Sequence, residues 1–334
     1  MKKLFKDKKI IVLGGTGFVG KALVRELLKY DPKVIRILSR DDSKQFMMRH
    51  EFDDDSRLRW LIGDIRDKER LFAAFEEIDI VFNAAAIKHV PASEYNPYEA
   101  VKTNVLGVQN IVEAAIECGV DRVINMSTDK ATAPSNVMGA TKLLGEKLLA
   151  ASSNRGGRET KFASVRFGNV LGSRGSVVPL FIQQIKKGGP VTVTDENMQR
   201  YVVTVEQAID LVLRAVLIMQ GGEVFLFKMP VIKLTDLAQI MIEKLSRDKI
   251  EIKIIGLRHG ETLDEDLLTT EESMRALETD EMFIILPTTE INKKIYKHEG
   301  TKPVEVGYRY SSADQELLPY NEIKEMVEQV LRSI

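Results

Sequence analysis

Lys9-Ile10-Ile11-Val12-Leu13-Gly14-Gly15-Thr16-Gly17-Phe18-Val19-Gly20 is the stretch that decides the fold. Its first five residues form a short apolar run, of the kind that is buried on both faces of a parallel sheet. Gly14, Gly17 and Gly20 follow with the spacing Gly-x-x-Gly-x-x-Gly, where a helical pattern begins. Without β-carbons this backbone can turn tightly and approach a pyrophosphate, whose charge meets the N–H groups of the helix N-terminus. A turn that binds nothing is the alternative, but the position between strand and helix favours a dinucleotide site.

Strand and helix patterns alternate through the first half of the chain. Runs rich in β-branched residues recur at Lys9–Leu13, Val34–Leu38, Leu58–Ile62, Asp79–Asn83, Arg122–Met126 and Phe162–Phe167. Amphipathic segments such as Lys21–Tyr30 and Ala100–Cys118 separate most of them, as crossover connections between parallel strands require. We therefore predict an α/β fold with a Rossmann-type, doubly wound parallel sheet.

The pattern changes after Phe167, because glycines interrupt it at Gly168, Gly172, Gly175, Gly188 and Gly189. This change predicts a smaller substrate-binding lobe at the C-terminal side. Helical patterns at Val205–Met219 and Leu234–Leu245 are expected to return to the core. The predicted core is residues 1–167 with about 205–247, and the predicted lobe is discontinuous, comprising residues 168–204 and 248–334.

The charge balance excludes global attraction to polyanions. Among 334 residues, 48 Lys and Arg face 49 Asp and Glu, which leaves a formal net charge of -1. No global field therefore draws the chain to nucleic acid or to an anionic membrane surface, and any phosphate must be held by local charges.

Cysteine and histidine usage narrows the chemistry. Cys118 is the single cysteine, which excludes a disulfide framework and a thiolate metal cluster. The four histidines show no shared ligand spacing, so we expect no metal. No apolar run approaches the ~18 residues of a spanning helix, and Met1–Asp7 lacks the apolar segment of a signal peptide. We expect a cytoplasmic protein without membrane insertion.

The end of the second predicted strand bears on the choice of dinucleotide. An NAD site usually places a carboxylate there for the ribose hydroxyls, whereas this strand continues into Ser39-Arg40-Asp41-Asp42-Ser43-Lys44. Ser39, Arg40 and Lys44 suit a 2′-phosphate, which a guanidinium can bind through two hydrogen bonds. Asp41 is expected to point away or to cap the next helix. The sequence therefore predicts NADP rather than NAD.

Further cofactor contacts are expected where neighbouring strands end. Asp64 suits the adenine amino group, with a helix cap as the alternative, and Ala84-Ala85-Ala86 provides small residues where the backbone passes the cofactor. The predicted cofactor set so far is Gly14, Thr16, Gly17, Phe18, Val19, Gly20, Ser39, Arg40, Lys44, Asp64, Ile65, Ala84, Ala85 and Ala86.

Polar segments follow the fifth predicted strand and point to a known family. They are Ser127-Thr128-Asp129-Lys130-Ala131 and Met138-Gly139-Ala140-Thr141-Lys142; the other matching segments are Gly14-Gly15-Thr16-Gly17, Ala84-Ala85-Ala86-Ile87-Lys88-His89-Val90-Pro91, Arg166-Phe167-Gly168-Asn169-Val170, Ser173-Arg174-Gly175-Ser176-Val177 and Arg258-His259-Gly260-Glu261. With these segments in this order, the chain resembles the extended short-chain dehydrogenase/reductase superfamily. Within it, the chain is most similar to the UDP-N-acetylglucosamine 4,6-dehydratases of polysaccharide biosynthesis. The resemblance covers nearly the whole chain.

The resemblance implies an internal redox cycle. The 4-hydroxyl of the sugar is oxidised by hydride transfer to NADP⁺, and the ketone acidifies the hydrogen on carbon 5. A base removes that hydrogen while an acid expels the 6-hydroxyl as water, and the hydride then returns to carbon 6.

The same resemblance assigns roles to the residues after the fifth strand. Asp129 would be the acid if its pKa is raised, and Lys130 the base if its pKa is lowered. Thr128 would link the 4-hydroxyl to Asp129, and Lys142 would hold the nicotinamide ribose. The structural alternatives are a turn cap for Asp129 and a surface ion pair for Lys130.

Met138 departs from the superfamily pattern. The usual Tyr-x-x-x-Lys is Met138-x-x-x-Lys142 here. A thioether has no exchangeable proton, so the base for hydroxyl oxidation is expected to be Asp129, acting through Thr128. The departure weakens a reductase or epimerase assignment more than a dehydratase assignment.

The resemblance also implies a substrate set around the nucleotide diphosphate. Lys88 is expected to reach the sugar or its phosphate, and an Arg fork complements phosphate oxygens. For Arg166, at a strand end, we expect a structural ion pair. The predicted substrate residues are Lys88, Asn169, Arg174, Val177, Arg200, Arg258 and Glu261.

The sequence thus predicts an NADP-dependent nucleotide-sugar 4,6-dehydratase, a lyase, acting on UDP-N-acetylglucosamine for surface glycan synthesis. A GDP-N-acetylglucosamine substrate, a nucleotide-sugar 4-epimerase and a non-catalytic NADP-binding regulator are the alternatives. The sequence leaves open retention or inversion at carbon 5. The helices Ala100–Cys118 and that opening at Met138 have apolar faces, which in this superfamily commonly pair across a two-fold axis, so a homo-oligomer is expected.

Overall fold

The computed structural model describes residues 1–153, 160–173, 175–288 and 296–333. Its helices are α1 (Lys2–Phe5), α2 (Phe18–Leu28), α3 (Asp42–Glu51), α4 (Lys68–Phe75), α5 (Val90–Tyr95), α6 (Pro97–Val101), α7 (Gly107–Cys118), α8 (Val137–Ser152), α9 (Val177–Lys186), α10 (Val205–Ile218), α11 (Leu234–Leu245), α12 (Thr270–Ser273) and α13 (Tyr320–Ser333). A π-helical turn, Lys102–Leu106, joins α6 to α7, and 3₁₀ turns lie at Asp129–Ala131 and Ser312–Asp314.

Short strands alternate with these helices. They are β1 (Lys9–Leu13), β2 (Val34–Ser39), β3 (Leu58–Ile62), β4 (Ile80–Asn83), β5 (Arg122–Met126), β6 (Lys161–Arg166), β7 (Asn169–Val170), β8 (Val191–Val193), β9 (Gln199–Val203), β10 (Val224–Phe227), β11 (Val231–Lys233), β12 (Ile252–Ile254), β13 (Asp266–Leu268), β14 (Ala276–Glu278), β15 (Met282–Ile285), β16 (Lys302–Pro303) and β17 (Tyr310–Ser311).

The main sheet confirms the predicted fold class. Within the described residues its order is β16-β14-β15-β10-β6-β5-β4-β1-β2-β3, and the strands from β10 to β3 are parallel. The strand order changes direction between β1 and β4, because the chain continues from β1 towards one edge of the sheet and from β4 towards the other. In open α/β sheets a ligand binds at such a switch point, beyond the carboxyl ends of the strands.

Strand β1 is apolar after Lys9 because helices cover both sheet faces. Ile10 and Val12 pack into a core with α2 and α10, whereas Ile11 and Leu13 pack into a second core with α4 and α7. Alternate side chains of one strand therefore enter different cores, which explains the continuous apolar run in the sequence.

The division into core and lobe differs from the prediction at two places. Helix α11 was expected in the Rossmann core, but Leu237 and Met241 pack in a third cluster with α9, α13 and strand β8. Conversely, residues 276–285, expected in the lobe, form β14 and β15 of the main sheet, and β15 pairs antiparallel with β10. An apolar strand edge at β10 gains hydrogen-bond partners in this way, and periodicity alone cannot predict which segment supplies them.

The described helices include none that is long and apolar enough to cross a bilayer.

Candidate active site

The glycine turn lies at the switch point of the sheet. Gly14 has a φ of 71°, a conformation that favours glycine, and its N–H donates to Leu38 O at 2.8 Å. A β-carbon at Gly14 would lie 2.8 Å from Ala85 N, and one at Gly20 would lie 2.5 Å from Gly14 O. Gly17 is the N-cap of α2 and offers no side chain to cap the helix. Close backbone approach and an uncapped helix N-terminus fit the pyrophosphate of a dinucleotide.

The remaining predicted residues of this turn surround it. Thr16 is buried, and Phe18 and Val19 pack on the edge of the core beneath the turn. They therefore support the loop from below, while the glycine backbone is the part that faces the switch point.

The segment after β2 carries two exposed cations, Arg40 and Lys44. Arg40 is 62% exposed in its side chain, and its Nη1 lies 3.6 Å from Asp64 Oδ2. Lys44 instead pairs with Asp41, whose Oδ1 accepts from Lys44 N at 2.9 Å and thereby caps α3. Ser39 Oγ accepts from Gln45 Nε2 at 3.1 Å. Of the two cations predicted for a 2′-phosphate, Arg40 is the more exposed and lies farther from its carboxylate partner.

Asp64 is not the helix cap considered as its alternative role. Asp67 caps α4 by accepting from Arg70 N at 3.0 Å. Asp64 accepts from Arg66 through both oxygens, including Oδ2 from Nη2 at 2.7 Å. Ile65 is buried against Gly107, where a β-carbon would lie 2.8 Å from the Ile65 side chain.

The π-helical turn fixes the loop that follows β4. Asn104 Oδ1 accepts from Ile87 N and its Nδ2 donates to Ile87 O, both at 2.9 Å. The same amide donates to Thr141 Oγ1 of α8 at 3.1 Å. Ala84-Ala85-Ala86 is thereby held between the glycine turn and α8. The sequence predicted one uninterrupted helix here, and its periodicity gave no signal of the inserted turn.

Thr128, Asp129 and Lys130 form the start of a 3₁₀ turn beyond β5. Thr128 Oγ1 donates to Asp129 Oδ1 at 2.7 Å, and Lys130 N donates to the same oxygen at 2.8 Å. Lys130 Nζ lies 3.1 Å from Asp129 Oδ1. A β-carbon at Gly139 of α8 would lie 2.0 Å from Lys130 O, so α8 abuts the turn directly.

A second carboxylate, Glu265, completes this cluster. Lys130 Nζ donates to Glu265 Oε1 at 2.6 Å, and Arg200 Nε lies 3.3 Å from the same oxygen. Asp129 Oδ2 is buried without a donor among the described residues and lies within hydrogen-bonding reach of the Glu265 carboxyl. The site therefore contains two buried carboxyls and two cations in mutual contact.

The electrostatics of the cluster stabilise the charged forms of both Asp129 and Lys130. Burial opposes ionisation of Asp129, but the charge of Lys130 and several hydrogen bonds lower the pKa of Asp129. Burial likewise opposes the charge of Lys130, yet Asp129 and Glu265 raise the pKa of Lys130 above its ordinary range. The roles of acid and base were made conditional on a raised pKa for Asp129 and a lowered pKa for Lys130. The ion pair between Asp129 and Lys130 shifts both pKa values the other way, because each charge stabilises the other. Burial, together with the charge of Asp129, raises the pKa of Glu265 to about 7.

Met138 and Lys142 lie on the buried face of α8. Met138 is 4% exposed, so its thioether packs where a hydroxyl base would otherwise stand. Lys142 Nζ donates to Met126 O at 2.5 Å. Burial lowers the pKa of Lys142 to about 8, against the opposing charge of Glu146.

A cavity of about 350 Å³ opens beside the cluster. Predicted residues that line it are Lys88, Asp129, Lys130, Asn169, Val177, Arg200, Arg258 and Glu261. Glu265 and Asn136 line it as well. The structure thus brings the predicted acid and base together with most of the predicted substrate residues, on the lobe side of the sheet.

The substrate residues differ in how accessible their polar groups are. Lys88 Nζ lies 3.4 Å from Ser173 Oγ, and burial lowers the pKa of Lys88. Asn169 Nδ2 donates to Tyr201 O and Glu265 Oε2 at 3.2 and 3.3 Å. Arg258 is exposed at the rim, and its N–H donates to Glu261 Oε2 at 3.1 Å. Arg174 lies outside the described residues.

Arg200 differs from its predicted role at the diphosphate. Its guanidinium is buried and donates to the carbonyls of Gln199, Leu263 and Thr262 at 2.6, 2.8 and 2.7 Å. With Glu265 as its counter-ion, most of its donors are already used. Arg200 therefore holds the segment that bears Glu265.

Arg166 forms the predicted structural ion pair. Its buried guanidinium donates to Glu146 of α8 and to Glu272 of α12, at 2.7 and 2.8 Å through Nη2.

Glu265 is the site residue that the sequence did not predict. It stands in Leu263-Asp264-Glu265-Asp266, a run of acids like those on ordinary solvated surfaces. Only the pairing of β13 with β17 and the contact of Glu265 N with Ser312 Oγ, at 2.9 Å, place it inside. Within the described ranges, no group of three or more His, Cys, Asp or Glu is arranged to hold a metal ion.

Comparisons with known proteins agree with this geometry. A family model described as "Polysaccharide biosynthesis protein" matches residues 10–287. An inverting UDP-N-acetylglucosamine 4,6-dehydratase of Campylobacter jejuni is 42% identical over 324 residues, covering 94% of this chain and 95% of that protein. An uncharacterized membrane protein of Methanocaldococcus jannaschii is 46% identical over 337 residues, covering 99% and 98%. A UDP-glucose 4-epimerase of Rickettsia massiliae is 40% identical over 330 residues, covering 97% and 96%.

Solved structures show the same similarity. The X-ray structure of Pen from Bacillus thuringiensis superposes with a TM-score of 0.92 at 45% identity, covering 98% of this chain and 99% of that one. The dTDP-glucose 4,6-dehydratase DesIV of Streptomyces venezuelae shares the fold, with a TM-score of 0.69 at 23% identity, over 76% and 86%. The predicted resemblance is confirmed by the family match and the Campylobacter relative. Since the family model spans most of the chain and these relatives align over nearly their whole length, the chain belongs to the polysaccharide biosynthesis protein family.

Proposed function

We propose that this protein is an NADP-dependent nucleotide-sugar 4,6-dehydratase that acts on UDP-N-acetylglucosamine. The observation that carries the proposal is the juxtaposition of Asp129 and Lys130 at one cavity, with the apolar Met138 in place of a hydroxyl base. An acid and a base beside each other suit elimination of water, which oxidation at carbon 4 alone does not need. The Campylobacter relative bears the name of this activity.

The residues divide the chemistry between them. Thr128 donates to Asp129 and can pass on the proton of a sugar 4-hydroxyl, so ionised Asp129 takes that proton and later gives it to the departing 6-hydroxyl. Lys130 takes the proton of carbon 5 once it is neutral. Lys142, with a pKa near 8, would lie along the nicotinamide ribose. When bound, the dinucleotide supplies a hydride acceptor for carbon 4 and a hydride donor for carbon 6.

In this proposal the dinucleotide and the nucleotide sugar occupy two different places at the carboxyl ends of the strands. The glycine turn and Ala84-Ala85-Ala86 would hold the pyrophosphate, and the exposed guanidinium of Arg40 would bind the 2′-phosphate of NADP. Lys88, Asn169, Val177, Arg258 and Glu261 would surround the nucleotide sugar in the cavity.

The test is the product formed from UDP-N-acetylglucosamine in heavy water, analysed by mass spectrometry and proton NMR. The proposal expects a product lighter by one water, deuterium at carbon 5, and no net accumulation of NADPH. Stoichiometric NADPH would indicate an ordinary dehydrogenase. Turnover of the GDP-sugar alone would reassign the nucleotide, and NADP binding without turnover of any sugar nucleotide would indicate a regulator.

A 4-epimerase is the second candidate, because Rickettsia relatives about 40% identical bear that name. An epimerase would give a product of unchanged mass with no deuterium at carbon 5. The buried thioether of Met138 argues against it, since no proton can be exchanged there.

A further inference from the structure

Glu265 makes the shortest contact of the Lys130 ammonium group. The distance from Nζ to Glu265 Oε1 is 2.6 Å, against 3.1 Å to Asp129 Oδ1. Both carboxyl groups are buried, so neither is screened by bulk water. The two carboxylates together keep Lys130 protonated in this state of the site.

A protonated Lys130 cannot act as a base, so its proton must move before carbon 5 is attacked. In the proposed function Asp129 is not available as the acceptor, because it receives the proton of the 4-hydroxyl. Once Asp129 is neutral, it also stops stabilising the Lys130 charge, and buried Arg200 then disfavours that charge further. Among the contacts of the described residues, Glu265 Oε1 is the acceptor that remains in reach of Nζ.

We propose that Glu265 takes the ammonium proton of Lys130 and thereby makes Lys130 the neutral base that attacks carbon 5. This inference rests on the proposed function. The N–H bond of Lys130 breaks and an O–H bond forms at Glu265 Oε1; the freed amine pair then takes the carbon-5 proton. After Lys130 returns a proton to carbon 5, Glu265 returns its own to Lys130, so the cluster ends the cycle as it began. Glu265 acts through Lys130 and is a positioning residue.

The surroundings of Glu265 favour reversible protonation of its carboxyl group. Its main chain is fixed by Ser312, and its Oε2 accepts from Asn169 at 3.3 Å. The charged groups that face it are Asp129, Lys130 and Arg200. Of its acidic neighbours, Asp264 lines the same cavity, and Asp266 lies 4.0 Å from Arg309. Burial is the largest cause that raises the pKa of the Glu265 carboxyl, and it persists when Asp129 becomes neutral, so it favours the form of Glu265 that holds the proton.

The first arm of the test needs no turnover. The rate at which acetic anhydride labels Lys130, measured by mass spectrometry at pH 9, reports its neutral fraction. In Glu265→Gln the ammonium loses one anionic partner, so we expect labelling of Lys130 to rise about tenfold or more. Glu305→Gln, which changes an exposed carboxylate of the same chain, is the matched control and should leave the rate as in the wild type. An unchanged Lys130 rate in Glu265→Gln would overturn the coupling.

The second arm measures exchange at carbon 5 with UDP-N-acetylglucosamine across pH 5–10. The wild type should lose activity as pH falls below about 7, since protonated Glu265 cannot accept a proton. Glu265→Gln should exchange ~10²-fold more slowly at pH 7. The pH profile of the variant should lack the fall in rate near pH 7. Its exchange rate should recover as pH rises, because Lys130 then loses its proton to solvent. A purely structural role would leave the shape of this profile unchanged, and that result would contradict the proposal.

The variant Glu265→Asp provides a second test of whether the carboxyl group accepts the proton of Lys130. It retains a carboxylate, so the acid limb should persist with a lower rate; if Glu265→Gln fails to fold by circular dichroism, loss of that limb in Glu265→Asp would contradict the proposal. A wild type that makes no dehydrated product would refute the proposed function alone, and the labelling arm would still decide whether Glu265 and Lys130 are coupled.

Discussion

Lys130 shows how neighbouring charges decide the protonation of a single side chain. Two buried carboxyls face one ammonium group, so the resting site favours the charged amine although burial opposes it. The chemistry proposed for the site requires the neutral amine. The change in charge of Asp129 during turnover is what would link these two states.

Lys130→Ala should abolish exchange at carbon 5, because the variant lacks the amine beside Asp129 that takes the carbon-5 proton. We expect a loss of ~10²–10⁴-fold in deuterium incorporation, measured by proton NMR in heavy water. Lys147→Ala, on the exposed face of α8, is the control and should retain the wild-type rate. Unchanged exchange in Lys130→Ala would reassign the base.

Arg40→Ala tests the choice of dinucleotide. The exposed guanidinium is expected to bind the 2′-phosphate that NAD lacks, so the variant should lose about tenfold to a hundredfold in NADP affinity with little change for NAD. Isothermal titration calorimetry measures both dissociation constants. Arg49→Ala, whose guanidinium pairs with Asp54 at the far end of α3, is the matched control. Equal losses for both dinucleotides would contradict the assignment.

At the scale of elements, one buried ion network joins three parts of the fold. Arg166 ends β6 and binds Glu146 of α8 and Glu272 of α12. It therefore fixes α8, which bears Met138 and Lys142, relative to the segment that follows Glu265. The site depends on this network for the distance between its two halves.

Arg166→Met should destabilise the protein by about 3–5 kcal/mol at pH 7, because two buried carboxylates lose their counter-ion. Urea unfolding followed by circular dichroism measures the loss. Arg214→Met is the matched control: its pairs with Asp210 and Glu281 are exposed, so its removal should cost less than ~1 kcal/mol. A cost for Arg166→Met as small as that of the control would refute the structural role.

The same comparison has a defined pH dependence. Although burial opposes ionisation, the charge of Arg166 lowers the pKa of Glu272 below its unfolded value. Its contribution in the wild type is therefore present above the unfolded pKa and is lost as pH falls through the lower folded pKa. In Arg166→Met the opposing charge is gone and burial raises the pKa of Glu272. Acidification therefore protonates the buried carboxyl and reduces the destabilisation of the variant. The difference in unfolding free energy should shrink between pH 7 and pH 4, and a constant difference would contradict this account.

At the scale of the whole molecule, two exposed apolar residues lie on the helical segments beside the site. Leu106 lies in the π-helical turn and Leu144 on α8, 48% and 51% exposed. These are the helices whose apolar faces the sequence associates with pairing across a two-fold axis.

We therefore expect a mass of at least twice 37.7 kDa by light scattering. The double variant Leu106→Lys, Leu144→Lys should shift it to the monomer, because two charges would be buried without partners. Met47→Lys, an exposed apolar position on α3, is the control and should not change the mass. A monomeric wild type across working concentrations would refute the expectation.

Local patterns in the sequence determined the fold class of this protein. The run from Lys9 to Gly20 predicts β1, the glycine turn and α2, since strand burial and a glycine turn are properties of neighbouring residues. All six predicted parallel strands appear within one residue of their expected bounds. The segments around Asp129 and Arg258 likewise sufficed to predict the family.

Only the tertiary structure decided the environment of the candidate site. Glu265 lies 135 positions from Lys130 in the sequence, yet the two side chains are in contact. Arg200 was expected at the diphosphate, but its guanidinium donates hydrogen bonds to backbone carbonyls. Helix α11 packs in the lobe, and β14 and β15 close the sheet, against the predicted division. These outcomes depend on contacts between distant segments, on burial and on the sum of several charges. A pKa is such a sum, which is why the sequence could name Asp129 and Lys130 as candidates for the acid and the base but could not determine the direction of their resting pKa shifts.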